Sequence, residues 1–159
     1  MLLAYTEMEL LSHLRKKGIE IEMYAPKWIA TLFTRLVDLS LLYELWEIFL
    51  FERDKYFIFY FCVGIMIAFK EEIMKRHSLE QLIYFLQNIK ITSYSLLADI
   101  YFHAIQVRRH APASFEMLVS QLGLFKYNPI ISNEELEILK TTSKIETLPI
   151  CSKELLFGS

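Results

Sequence analysis

From Tyr56 to Phe69 the chain carries no charged side chain, and the run is bracketed by Lys55 and Lys70. A membrane-spanning helix needs about twenty predominantly apolar residues, and a shorter run of this kind is more often a buried core helix. We therefore read it as core. Tyr56, Tyr60 and Gly64 fall on one i, i+4 row, and a helix that is apolar all round must be covered on most sides by others. That demands a domain of several helices. A lone membrane anchor is the alternative, favoured if the run proves exposed.

Composition supports a globular chain. Of the 159 residues 54% are hydrophobic and 14% aromatic, which argues against disorder. Glycine and proline number only 4 each, and Val, Ile and Thr form no alternating runs, so the fold class is all-α. Seventeen basic against 19 acidic residues give a net charge of −2, with no global field to attract nucleic acid. Basic clusters stand at Arg15-Lys16-Lys17, Lys75-Arg76-His77 and Arg108-Arg109-His110, each where a helix is expected to end. Cations there complement the helix dipole, with a phosphoinositide or acidic-partner patch as the alternative. Cys62 and Cys151, with no secretory signal at Met1, read as reduced thiols of an intracellular protein.

The pattern predicts about seven helices. The first runs from Thr6 to Lys17, with Thr6 and Glu9 as a capping box and Gly18 as its left-handed stop. Pro26 opens the second, which reaches Leu36, because its missing N–H would be unpaired there anyway. Asp38 or Ser40 opens the third, with Leu41, Leu45, Ile48 and Phe49 on one stripe, and Glu52-Arg53-Asp54 ends it. The apolar helix extends to about Arg76. Ser78 with Gln81 caps the next, which ends at Asn88; Thr92 or Ser93 caps one through Val107; Ser114 begins one through Leu122. Residues 1–124 are thus expected to form the helical domain. After Leu124 the motifs Asn128-Pro129 and Thr141-Thr142-Ser143 dilute the hydrophobic pattern, so 125–159 read as a linker, with a short helix at Glu134 to Lys140.

Trp28 lies in Tyr24-Ala25-Pro26-Lys27-Trp28-Ile29-Ala30-Thr31-Leu32-Phe33-Thr34-Arg35, and Trp46 in Leu42-Tyr43-Glu44-Leu45-Trp46-Glu47-Ile48-Phe49-Leu50, ahead of the aromatic run. In that order the block resembles the second half of the TBC domain, the all-helical Rab GTPase-activating fold. The family's Trp-Asp helix stands here as Trp46-Glu47. Leu2-Leu3-Ala4-Tyr5, the Lys17-Gly18-Ile19 turn and Ala111-Pro112-Ala113-Ser114-Phe115 resemble the branch in which a TBC domain precedes an inactive rhodanese-like domain. Thr147-Leu148-Pro149-Ile150 is similar to the lead-in to that second domain. The resemblance covers Leu2 to Ile73, and more weakly Ser78 to Ile150, and it implies a chain cut at both ends. A truncated gene, a degenerate paralogue or a cut fragment would all look this way.

In this family Rab activation relies on an arginine in Ile-x-x-Asp-x-x-Arg and a glutamine in Tyr-x-Gln, both in the first half of the domain. None of the 9 tyrosines is followed two positions on by Gln, and Asp38, Asp54 and Asp99 follow Arg35, Phe51 and Leu96 at minus three. An arginine finger is worth about three to five decades in rate, so the expectation is no enzymatic activity from this chain. The 4 histidines, His13, His77, His103 and His110, lack metal-site spacing, although Asp99 and His103 are i, i+4 on one helix. No cofactor or metal is expected.

What remains is interaction. Trp28 and Trp46 read first as core, while Lys27, Trp28 and Arg35 form the candidate partner surface. The resemblance implies a Rab-type small GTPase, or golgin and vesicle-tethering proteins, as partners. It further implies a cytoplasmic protein held at the Golgi and endosomal membrane periphery through those partners, in endosome to trans-Golgi traffic. Two other readings stay open: a fragment of a catalytically active Rab GTPase activator, and a helical peripheral membrane protein.

Overall fold

A helix without a polar face is stable in water only when other helices surround it, and the uncharged run meets that condition. The computed structural model describes residues 2–52 and 54–121, which carry nine α-helices. They are α1 (Leu2–Thr6), α2 (Met8–Lys16), α3 (Ala25–Ala30), α4 (Leu39–Phe51), α5 (Phe57–Ala68), α6 (Lys70–Met74), α7 (Leu79–Gln87), α8 (Tyr94–His110) and α9 (Ala113–Gln121). A 3₁₀ turn, Ile21–Met23, precedes α3. Among the described residues there is no β-strand, only one isolated parallel bridge between Val37 and Ile91. The all-α class expected from the sequence is the one observed.

Helix α5 is the centre. It buries Phe57, Tyr60, Phe61, Cys62, Val63, Gly64, Ile65 and Met66, and each large side chain withdrawn from water contributes about 1.5–3 kcal/mol of transfer free energy. Its most extensive partner is α8, which turns Leu97, Ile100, Ala104 and Val107 inward. Gly64 is what lets the two backbones meet: a Cβ built there would lie 2.6 Å from the Ile100 carbonyl oxygen and 3.1 Å from the Ala104 nitrogen. The Tyr56, Tyr60, Gly64 row therefore has a physical meaning. Its glycine accommodates α8, while its two tyrosine rings stand 6.3 and 5.6 Å from the ring of Phe115 on α9. Among the described residues no helix is long and apolar enough to cross a membrane.

Several local signals operate as expected. The Ser78 and Ser93 hydroxyls each accept the backbone N–H three residues on, both at 3.2 Å. Gly18 takes φ +71°. The N–H groups of Gly18 and Ile19 return to the carbonyls of Arg15 and Leu14, the paired bonds that close a Schellman ending. The basic clusters also sit at helix ends, with Arg15 and Lys16 closing α2 and Arg108, Arg109 and His110 closing α8.

Elsewhere tertiary contacts override local preference. Thr6 does not cap α2; its hydroxyl donates back to the Leu2 carbonyl at 3.3 Å, and Glu7 occupies the cap position without a side-chain bond. The buried pair Leu2 and Leu3 gives the first residues a helical turn of their own. The apolar helix does not reach Arg76 unbroken. It ends at Ala68, and Phe69 breaks the path before α6, with its ring 5.9 Å from that of Phe85 on α7. The next residue, Lys70, bonds to Glu7 at 2.8 Å and to Glu9 at 3.1 Å, tying α6 to the start of α2. Those carboxylates hold its ammonium above the ordinary lysine value. The helix from Pro26 ends at Ala30 instead of Leu36, and α8 runs three residues past Val107 to His110. The two helices beyond the expected seven come from α1 and from the break at Phe69. The expected linker at 125–159 and its short helix lie outside the described residues.

Two predictions follow from α5. Gly64→Ala should lower stability in urea denaturation by about 1–3 kcal/mol, because the atom it would collide with is backbone and cannot rotate away. That loss should outweigh the advantage of about 1 kcal/mol that alanine normally brings to a helix interior. The Tyr60 hydroxyl is buried with no hydrogen-bond partner, and burial pushes the phenol from its ordinary 10 up to about 12. Because the folded-state value is the raised one, this contribution is complete below pH 10 and is lost as pH rises towards 12. Tyr60→Phe is expected to stabilise by about 1 kcal/mol and to flatten the alkaline fall in a pH series of melting curves.

Candidate partner surface

Helix α3 ends in an unusual way for its composition. The N–H groups of Leu32 and Phe33 return to the Ile29 and Trp28 carbonyls, both at 2.9 Å, again the Schellman pattern. Here the left-handed positions are filled by Leu32 at φ +45° and Phe33 at φ +62°, not by glycine. Such a backbone costs an L-residue about 1–2 kcal/mol. Packing offsets it, since Phe33 becomes fully buried, with ring centroids 5.1 Å from Phe61 and 5.5 Å from Phe49. The same turn presents the Leu32 carbonyl to the Trp46 indole N–H, which donates to it at 3.3 Å.

This turn separates the residues singled out in the sequence. Lys27 on α3 and Arg35 in the turn are exposed. Trp28 is not on that surface: it is 2% exposed, its ring centroid is 4.9 Å from Tyr24, and its Nε1 donates to the Leu86 carbonyl at 3.1 Å. Leu86 lies in the last turn of α7, where backbone carbonyls have no intrahelical partner. Trp28 supplies one, so the side chain is a bolt between α3 and α7. Lys27 and Arg35 are joined to each other by no hydrogen bond or ion pair among the described residues.

A third cation, which sequence reasoning missed, belongs here. The Lys90 ammonium donates to the Arg35 carbonyl at 2.7 Å. The signal was present in Ile89-Lys90-Ile91, where a period of two sends both isoleucines inward, at 1% and 0% exposure, and leaves the lysine outside. This link is held by backbone as well: Ile91 N–H bonds to the Leu36 carbonyl at 2.7 Å, and Asp38 N–H to the Ile91 carbonyl at 3.1 Å.

Next to the turn a cleft of about 570 Å³ opens at the C-terminal half of α4, lined by Leu32, Trp46, Phe49, Leu50, Lys55 and Ile58 among others. Phe49 and Phe57 line it with their rings edge to face, centroids 6.1 Å apart, and Phe61 packs edge-on against Phe49 at 5.2 Å. Leu32 and Leu50 remain 51% and 83% exposed, so the rim is apolar. Glu52 closes the lower edge and is fully engaged: it accepts from the Tyr101 hydroxyl at 2.9 Å and from Arg108 at 2.6 Å. Desolvation first, and then this carboxylate, raise the Tyr101 phenol above its ordinary value. Arg108 is thereby committed to holding α8 against the end of α4.

The remaining reactive groups have structural surroundings. Cys62 is buried, and desolvation pushes its thiol up to about 12, the opposite of what a nucleophilic cysteine needs. His13 faces the Arg76 carbonyl at 3.0 Å, and the Arg76 guanidinium lies 3.7 Å from the Phe85 ring centroid. Among the described residues no group of three or more His, Cys, Asp or Glu side chains could hold a metal ion. Cys151 lies outside the described residues.

Residues 1–74 fit the family model of the Rab-GTPase-TBC domain. The matched stretch runs from α1 through α6 and contains Lys27, Trp28, Arg35 and the whole of the α4 cleft. It corresponds to Leu2 to Ile73, the stronger part of the resemblance, and does not extend to the weaker part from Ser78 to Ile150.

The different surroundings of Trp28 and Lys27 are open to measurement. Trp28→Phe should cost about 1–3 kcal/mol in thermal or urea unfolding, since it strips the Leu86 carbonyl of its donor. Lys27→Ala should stay within about 0.5 kcal/mol of the parent protein in the same experiment.

Proposed function

We propose that this chain is an interaction module of Rab-linked vesicle traffic, shaped as part of a TBC-type helical domain and working without GTP chemistry of its own. The observation that carries the reading is the match of residues 1–74 to the Rab-GTPase-TBC domain. The absence of chemistry rests on the sequence, which contains neither Ile-x-x-Asp-x-x-Arg nor Tyr-x-Gln. Electrostatic stabilisation by the arginine and water positioning by the glutamine are the two contributions a GTPase activator must bring to phosphoryl transfer. Neither can come from these 159 residues in the family's manner.

The finer reading follows the rhodanese-bearing branch, whose resemblance the sequence carries at Ala111-Pro112-Ala113-Ser114-Phe115 and Thr147-Leu148-Pro149-Ile150. In it the chain is the C-terminal half of the domain and tethers endosome-derived vesicles to golgins at the trans-Golgi. Lys27, Arg35 and Lys90 provide an exposed cationic face for acidic side chains of a partner, and the apolar rim of the α4 cleft provides desolvated area beside it. Interfaces of this kind combine apolar anchors with a charged rim that steers encounter.

The test is a panel of GTP-loaded Rab-type GTPases and golgin N-terminal coiled coils, assayed for binding and for GTP hydrolysis. We expect binding of at least one panel member without acceleration of hydrolysis. Lys27→Glu with Arg35→Glu should weaken that binding by about tenfold, a loss of about 1.4 kcal/mol, while leaving the fold intact. Accelerated hydrolysis would overturn the non-catalytic reading in favour of a GTPase activator. Absence of binding to every member would overturn the trafficking reading itself.

A further inference from the structure

On the other side of α4 a second groove separates it from α8, with a volume of about 470 Å³. Its two walls have the same spacing. Glu44, Glu47, Ile48 and Phe51 come from α4 at i, i+3, i+4 and i+7, and Tyr94, Leu97, Ala98 and Tyr101 come from α8 in the same register. A groove between two helices, lined by matching stripes over about two turns, has the shape that accepts a third helix laid along it. Large apolar side chains stand exposed at its edges, Phe51 at 81% and Tyr94 at 67%.

Charge says what kind of helix fits. One oxygen of the Glu44 carboxylate is buried and has no hydrogen-bond partner. Leaving a carboxylate oxygen both desolvated and unpaired is costly. Glu47, three residues further along the same wall, is exposed and makes no ion pair among the described residues. Glu52, at the end of the groove, already has Tyr101 and Arg108 as donors. Glu44 and Glu47 thus give this wall a negative charge that no cation among the described residues balances, and a helix that carries cations along it, flanked by apolar side chains that cover Phe51 and Tyr94, matches it. We propose that the α4–α8 groove docks a basic amphipathic helix of a partner protein. A second copy of this chain across a two-fold axis would bring Glu44 and Glu47 against their own equivalents, and like charges across an interface oppose association. The carboxylates likewise repel an anionic lipid surface. This proposal stands on the groove alone and does not rest on the Rab-linked reading, whose cationic face involves other residues.

The probe is a fluorescein-labelled Leu/Lys peptide of about sixteen residues, patterned so that leucines occupy one helical face, with a Leu/Glu peptide of the same pattern as control. Titrated against the full chain, the Leu/Lys peptide is expected to bind, and amide exchange should slow at 44–52 and 94–101. Glu44→Gln with Glu47→Gln should weaken binding by about tenfold or more. Phe51→Ala should also weaken it, and because Phe51 is so exposed this variant tests the groove without disturbing the core. Equal binding of the Leu/Glu peptide, unchanged affinity in both variants, or protection elsewhere would overturn the proposal. So would a concentration-dependent dimer that Phe51→Ala dissolves, which would put a second copy in the groove.

Discussion

Everything in the described unit depends on the contact between α5 and α8 at Gly64. Helix α5 offers no polar face, so its stability comes from being enclosed, and enclosure at native packing density leaves no room for a side chain where two helix backbones approach. The remaining helices are arranged by what this pair leaves uncovered. Phe115 on α9 takes the two tyrosine rings, Phe33 and Phe49 take the ring of Phe61, and Lys70 draws α6 back to the start of α2. The residues 1–74 that match the Rab-GTPase-TBC domain include α5 but not α8, so in this unit the matched stretch completes its core with helices beyond it.

Helix α4 is the counterpart on the outside. It buries Leu42 and Leu45 but leaves Leu39, Tyr43, Leu50 and Phe51 largely exposed. A helix that spends so much apolar area on solvent is better understood as a presenting element than as part of the core. It has a cleft on each side: one apolar beside the Leu32 turn, the other acidic and facing α8. Glu52 contributes to both and, through Arg108 and Tyr101, fixes the end of α4 against α8. The strained turn at Leu32 and Phe33 serves this arrangement, because it places one side chain in the core while its carbonyl holds the indole of Trp46.

Legibility from sequence followed the range of each interaction. Ser78 and Ser93 could be read as caps, and Gly18 as a stop, because a cap or a left-handed ending is made with backbone groups a few residues away. Thr6 looked like a cap by the same rule and was not one, since the buried Leu2 and Leu3 upstream had already committed it to α1. The exposure of the candidate surface residues was legible in part. Lys27 and Arg35 are exposed as that reading requires, but Trp28 looks inward because its partner carbonyl, Leu86, is far along the chain. Lys90 was overlooked for the same reason, its place beside Arg35 being set by the bridge of Val37 with Ile91.

By itself the sequence determined the helical class, the central position of the uncharged run and most helix starts, since hydrophobic period and capping are written within a few residues of where they act. Tertiary structure alone decided that the run breaks at Phe69, that two bulky residues adopt left-handed backbone, and that Glu44 faces a groove with no partner. Each of these is an outcome of competition between a local preference and contacts supplied from distant segments, and the energy of those contacts exists only once the helices are packed.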